Sequence, residues 1–218
     1  MESTINNLLI KKLSKSPYLT RRNLELLLGS KRRTLDYRIF SLIKNGVLIK
    51  LKSGFYISTE YLREQTESER YLEYIGCMLK QPSYVSLRYA LSKYSLIPES
   101  IFAITYVTTK KTDRFDTAMQ SFVYSNITEK FFTGFTTVQY KDKIINFAKP
   151  YKAIFDLFYY AKIASLAETR EYVYSSRINW EYLNQGGKIQ LKKLLITSNL
   201  QKMQRVLQTL QADKLIWF

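Results

Sequence analysis

Three consecutive cations, Lys31-Arg32-Arg33, follow a glycine and precede an apolar stripe. They are the residues of this chain best placed to do chemistry, and that chemistry is polyanion binding. A guanidinium presents a planar fork of donors that fits phosphate oxygens, or the O6 and N7 edge of guanine, two bonds at a time. Catalytic groups are scarce by comparison. Histidine is absent, which removes His-based triads, His general bases and zinc sites that need imidazole. The single cysteine, Cys77, lies between Gly76 and Met78 and reads as a small buried apolar residue. It can form no intramolecular disulfide, which fits a reducing compartment. Asp113 and Asp116 fall in a loop-like stretch around Arg114 and form no recognisable metal pair. Asn184-Gln185-Gly186-Gly187 reads as a turn without the lysine and hydroxyl of a phosphate-binding loop. The 18 tyrosines are spread along the whole chain, so they read as core and strand-face residues more than as stacking platforms. No catalytic residue, no metal and no cofactor is expected.

The whole chain carries the same bias. Its 218 residues hold 34 Lys and Arg against 18 Asp and Glu, a formal charge of +16. A field of that sign favours polyanions. Apolar residues make up 46% and charged residues 24%, the balance of a folded protein. Met1-Glu2-Ser3-Thr4 lacks a basic start followed by an apolar run, and the greasy stretch 153–167 is broken by Asp156 and Lys162. A cytoplasmic location without membrane insertion is expected. Charge alone leaves DNA, RNA and an anionic membrane surface open as partners.

The elements that must position these cations are legible in the first sixty residues. Ile5, Leu8, Leu9 and Leu13 recur at helical spacing over 4–14. Thr20 is a good cap for a second helix with Leu24, Leu27 and Leu28 on one side, and Gly29 can close it in the left-handed conformation. Ser30 then caps a third helix with Leu35, Ile39, Leu42 and Ile43 on one face, stopped by Asn45-Gly46. Two helices across so tight a turn predict a helix-turn-helix. Val47 to Lys52 alternates, Ser53-Gly54 turns, and Phe55-Tyr56-Ile57 returns. Three helices and a hairpin predict a winged helix.

At about 100° per residue, Ser30, Arg33, Thr34, Tyr37, Ser41 and Lys44 lie opposite the apolar stripe of the third helix, flanked by Lys31, Arg32 and Arg38. Positive charge in the first turn opposes the helix dipole, a cost that a phosphate backbone would offset. Lys50 and Lys52 on the wing read as phosphate contacts, and Arg21 and Arg22 at the start of the second helix are placed near the backbone. Residues 1–60 hold twelve cations and four anions. The remainder is also basic but less densely so.

Residues 61–80 are helical in pattern, with Tyr71, Ile75, Met78 and Leu79 on one side and Glu64, Glu67, Glu69 and Glu73 on the other, and predict a linker helix. Ser83 is a candidate cap for a helix over 84–94. Beyond Ile101 the pattern turns to short strands: 101–108, 120–127, 131–137, 138–140 and 144–147, with 110–114 as a polar connection and Asp142 in a hairpin turn. Pro150 suits the first turn of a helix running to about Ile163, in which Asp156 pairs with Lys152 on the exposed side. Two amphipathic helices follow from Lys188, separated near Ser198-Asn199. The predicted fold is α+β: a winged helix-turn-helix over 1–60, a linker helix over 61–80, and over 81–218 an α+β unit with a mostly antiparallel sheet and C-terminal helices.

Pro82-Ser83-Tyr84-Val85-Ser86-Leu87-Arg88-Tyr89-Ala90-Leu91, then Leu96-Ile97-Pro98-Glu99, then Ile104 to Thr108 stand in an order that resembles the AbiEi family of type IV antitoxins. Phe122-Val123-Tyr124, Phe132-Thr133-Gly134-Phe135 and the run Ala148 to Leu157 extend the likeness over roughly residues 20–165. Tyr151 stands where the family commonly has Glu, and Lys93-Tyr94-Ser95 where it commonly has Tyr-His-Gly. The resemblance implies an N-terminal winged helix that binds double-stranded operator DNA and represses its own operon. It also implies a C-terminal antitoxin domain acting against a nucleotidyltransferase-like toxin, AbiEii, without a stable complex. Two alternatives remain beside it: a stand-alone transcriptional regulator with a sensing or partner-binding second domain, and an RNA-binding protein. A neighbouring toxin gene separates the first pair, and preference for duplex DNA over structured RNA separates both from the third.

Overall fold

The computed structural model describes residues 7–216. Ile5 and residues 4–6 of the expected first helix lie outside them. The described residues begin with helix α1 (Asn7–Leu13), a two-residue strand β1 (Leu19–Thr20), α2 (Arg21–Leu28) and α3 (Arg32–Lys44), then strands β2 (Leu48–Lys52) and β3 (Phe55–Ser58). Thr20 caps α2: the Asn23 amide donates to its hydroxyl at 3.2 Å while Asn23 Oδ1 accepts the Thr20 amide at 2.8 Å. Gly29 then closes α2 at φ 59°, a left-handed conformation in which a side chain would be strained. The three strands form an antiparallel sheet in the order β1-β3-β2. Leu13, Leu24, Leu35, Ile39, Leu42, Leu48 and Tyr56 bury together beneath the helices.

The rest is an α+β body. It comprises α4 (Thr59–Arg63), α5 (Ser68–Leu79), β4 (Ser83–Val85), α6 (Leu87–Lys93), β5 (Ile104–Thr108), β6 (Asp113–Asp116), β7 (Ser121–Asn126), β8 (Phe135–Tyr140) and β9 (Lys143–Ala148). Helices α7 (Pro150–Tyr160), α8 (Leu166–Ser175), α9 (Gln185–Thr197) and α10 (Gln201–Ala212) complete it. The sheet runs β6-β7-β5-β4-β9-β8. Pairs β4/β9 and β5/β7 are parallel and the other three antiparallel, so the sheet is mixed.

Several local expectations are corrected. The stretch 61–80 is two helices, and α5 is no solvated linker. Its Tyr71, Tyr74, Ile75, Cys77 and Leu79 belong to the main core. Glu73, expected on the wet side, is buried and accepts from the Tyr89 hydroxyl at 2.8 Å and from Arg70 at 2.7 Å. Burial pushes the Cys77 thiol up to about 12, which leaves it an inert core residue. Ser83 caps no helix; it opens strand β4, because Tyr84 and Val85 fit a pleated buried surface better than a helix face. The polar connection shortens, since Asp113 to Asp116 pair with β7 as an edge strand. Asn184 to Gly187 is the start of α9, where Asn184 Oδ1 accepts the Gly187 amide at 2.8 Å.

Lys152 and Asp156 do pair across one turn of α7, but both are fully buried, not exposed. Asp156 also accepts from Tyr84 Oη at 3.0 Å and Ser86 Oγ at 2.7 Å, so α7 is bonded to β4 and to the start of α6. Burial lowers the affinity of Lys152 for its proton and raises that of Asp156, and the mutual attraction works against both shifts.

The hairpin β2/β3 is shared between the two parts. Leu48 and Tyr56 point into the helical core, whereas Leu51, Phe55 and Ile57 point into the larger one. Tyr18 stacks on Phe55 with ring centroids 4.7 Å apart, and the Tyr71 hydroxyl donates to the Pro17 carbonyl at 2.6 Å. A chain begun at residue 61 therefore loses part of its own core. It is expected to unfold with a broad, weakly cooperative urea transition, whereas the full chain unfolds sharply; a sharp transition in the fragment would show that the hairpin is dispensable.

Candidate nucleic-acid interface

Helix α3 is held by Leu35, Ile39 and Leu42, which face the helical core and leave the opposite face to solvent. On that face Arg33, Thr34, Tyr37 and Lys44 are exposed, as expected from their spacing. Ser41 is half-buried and its carbonyl accepts from Asn45 Nδ2 at 2.8 Å. Tyr37 keeps 74% of its surface exposed. Phe40 is 64% exposed on the same side, one turn beyond Tyr37, and was missed by sequence reasoning. Its signal was available: at about 100° per residue it falls within about 20° of Arg33 and about 40° of Lys44, well off the apolar stripe. Tyr37 and Phe40 stand one turn apart on this face, and a thymine methyl is the group on a base edge that matches an apolar ring.

The turn between α2 and α3 differs from expectation in one residue. Ser30 is not the cap of α3. It is buried, and its hydroxyl donates back to the Leu28 carbonyl at 3.1 Å. Lys31 occupies the capping position with extended backbone and no side-chain cap bond. The first amides of α3 are thus left to an outside acceptor, beside a cluster of cations. Arg32 is held at φ 50°. A left-handed non-glycine residue costs about 1–2 kcal/mol, and such strain tends to collect at functional turns.

The cations divide into two groups. Arg22, Lys31, Arg32, Arg33, Lys44 and Lys50 are exposed, and none forms an ion pair among the described residues. The others have structural partners. Arg21 pairs with Asp36 of α3, and this bond holds the Asp36 carboxyl below the usual carboxylate range. Arg38 donates to the Leu28 carbonyl at 2.6 Å and closes the end of α2. Lys52, expected to face a phosphate, is turned inward. Its ammonium donates to the Leu79 carbonyl at the end of α5 and lies 5.5 Å from the centre of the Phe115 ring. The cause is an irregular register between Lys50 and Lys52, which breaks the simple alternation that would have turned both outward. Desolvation, with nearby Lys80 adding repulsion, lowers the proton affinity of Lys52.

The two hairpin lysines therefore separate in a salt titration. Lys50→Ala is expected to lower the slope of log affinity against log salt by about one unit. Lys52→Met is expected to leave that slope unchanged. A one-unit fall for Lys52→Met would show that its ammonium leaves Leu79 when duplex is bound.

Among the described residues no group of three or more metal-binding side chains is present, and no helix is long and apolar enough to cross a membrane. No family model and no curated protein matches this chain.

Proposed function

We propose that this chain is a sequence-specific duplex-DNA-binding protein of winged helix-turn-helix type, with α3 as the reading helix and the β2/β3 hairpin as the wing. The observation that carries this reading is the solvent face of α3. Arg33, Tyr37, Phe40 and Lys44 stand on one side of a helix whose other side is locked in a core, with unpaired Lys31 and Arg32 at its uncapped start. An α-helix fits the major groove, where an arginine and an apolar ring read base edges while flanking lysines hold phosphates. Arg21 and Arg38 take a supporting role, fixing α2 against α3 through Asp36 and the Leu28 carbonyl.

The likeness of residues 20–165 to the AbiEi family extends the proposal to repression of the chain's own operon and to antitoxin action against an AbiEii-like nucleotidyltransferase toxin. A promoter reporter tests the first half. The chain is expected to silence a reporter driven by its own upstream region, and a chain carrying Arg33→Ala and Tyr37→Ala is not. Equal silencing by both chains would remove α3 from the role of reading helix. Co-expression with the neighbouring gene tests the second half: rescue of growth by the full chain supports the antitoxin role, and no rescue leaves a plain transcriptional regulator.

A further inference from the structure

A cleft of about 860 Å³ opens on the second part of the molecule, and no residue of α3 or of the hairpin lines it. Its walls come from Glu69 of α5, the end of α6, the loop 97–102 and the segment 177–182. The walls are tied to each other. The Asn179 amide donates to the Leu96 carbonyl at 2.8 Å, Arg177 pairs with Glu99 at 3.1 Å, and Lys93 pairs with Glu69. The cleft is therefore pre-formed.

Two aromatic residues that line it are largely exposed. Phe102 is 87% exposed and Tyr182 is 64% exposed. Both line the same cleft, which sets them apart from apolar residues scattered singly over a surface. The Phe102 backbone is itself held, since its carbonyl accepts from the Gln120 side chain. Glu99 has a second carboxylate oxygen, buried beside the cleft, with no hydrogen-bond partner among the described residues. Ser95 and Arg177, both lining the cleft, hold left-handed backbone at φ 56° and 55°. Two cations and two anions line it, so its charge is balanced and it is no track for a phosphate chain.

Exposed rings that can stack, beside carboxylates and cations that are paired across the walls and can exchange those partners for a ligand's, are groups of the kind that recognise a nucleobase. We propose that this cleft binds a nucleobase-bearing ligand, as a free nucleotide or as an unpaired nucleotide of a single strand. The site is independent of the duplex-reading face.

The test uses the full chain, with guanosine and adenosine monophosphate and a short unstructured deoxyoligonucleotide as probes in calorimetric titrations. Saturable binding of at least one probe is expected. Phe102→Ala and Tyr182→Ala should each weaken it about tenfold, the order set by loss of one stacking face. Phe102→Trp should retain or tighten it, which loss of a merely structural side chain would not do. Duplex binding should be unchanged in all three variants, so the two readings fail separately. Binding of a mononucleotide assigns the site to free nucleotides, and binding of the oligonucleotide alone assigns it to single strands. No binding of any probe in the millimolar range, or binding indifferent to both alanine variants, overturns the proposal.

Discussion

Arg33→Ala should weaken binding to the operator by about 1–3 kcal/mol while changing binding to random duplex far less. Arg33 is exposed, unpaired and in the first turn of α3, on the side opposite Leu35 and Leu42. A guanidinium that reads a guanine edge loses two directed bonds on truncation, and the loss appears only where that guanine is present. Tyr37→Ala, removing a side chain 74% exposed on the same face, should act in the same sense. The measurement is a pair of titrations, operator and random duplex of equal length, at one salt concentration. Equal losses on both would make Arg33 a phosphate contact and move base reading elsewhere.

The largest stability effect is expected inside α7. Asp156→Ala leaves the Lys152 ammonium in a fully buried site without its counter-charge, and also strips the Tyr84 and Ser86 hydroxyls of their acceptor. Breaking one side of a buried pair costs about 3–5 kcal/mol. The double variant Lys152→Met with Asp156→Leu should recover the part of that loss due to the unpaired charge, because it removes both charges and keeps the volume, while the Tyr84 and Ser86 hydroxyls still lack an acceptor. Urea unfolding followed by tryptophan fluorescence measures both. A loss below about 1 kcal/mol for Asp156→Ala would mean that Lys152 reaches water or sheds its proton at little cost.

The exposed face of α3 was largely legible because it rests on local physics. Helical spacing set Leu35, Ile39 and Leu42 inward and so set Arg33, Tyr37 and Lys44 outward, and the turn residues Thr20 and Gly29 act as their chemistry dictates. What failed depended on contacts distant in sequence. Nothing near Lys52 announces that the Leu79 carbonyl will accept its ammonium, and a single register irregularity was enough to redirect it. Glu73 looked like one more residue of an acidic face until Arg70 and Tyr89 met it in the core. The i, i+4 spacing of Lys152 and Asp156 revealed the pair, but its burial follows from Tyr84 and Ser86, seventy residues away in the chain. Ser30 failed for a subtler reason. A serine after a glycine fits a helix cap equally well one residue earlier or later, and its hydroxyl found the Leu28 carbonyl instead.

The most direct test is a fluorescence-anisotropy titration of the full chain on the duplex upstream of its own operon, competed in turn by random duplex and by structured RNA of equal length. The account predicts that the operator is bound at least about a thousandfold more tightly than random duplex, and that structured RNA competes no better than random duplex. Operator and random duplex bound alike, or RNA competing better than either, would contradict it.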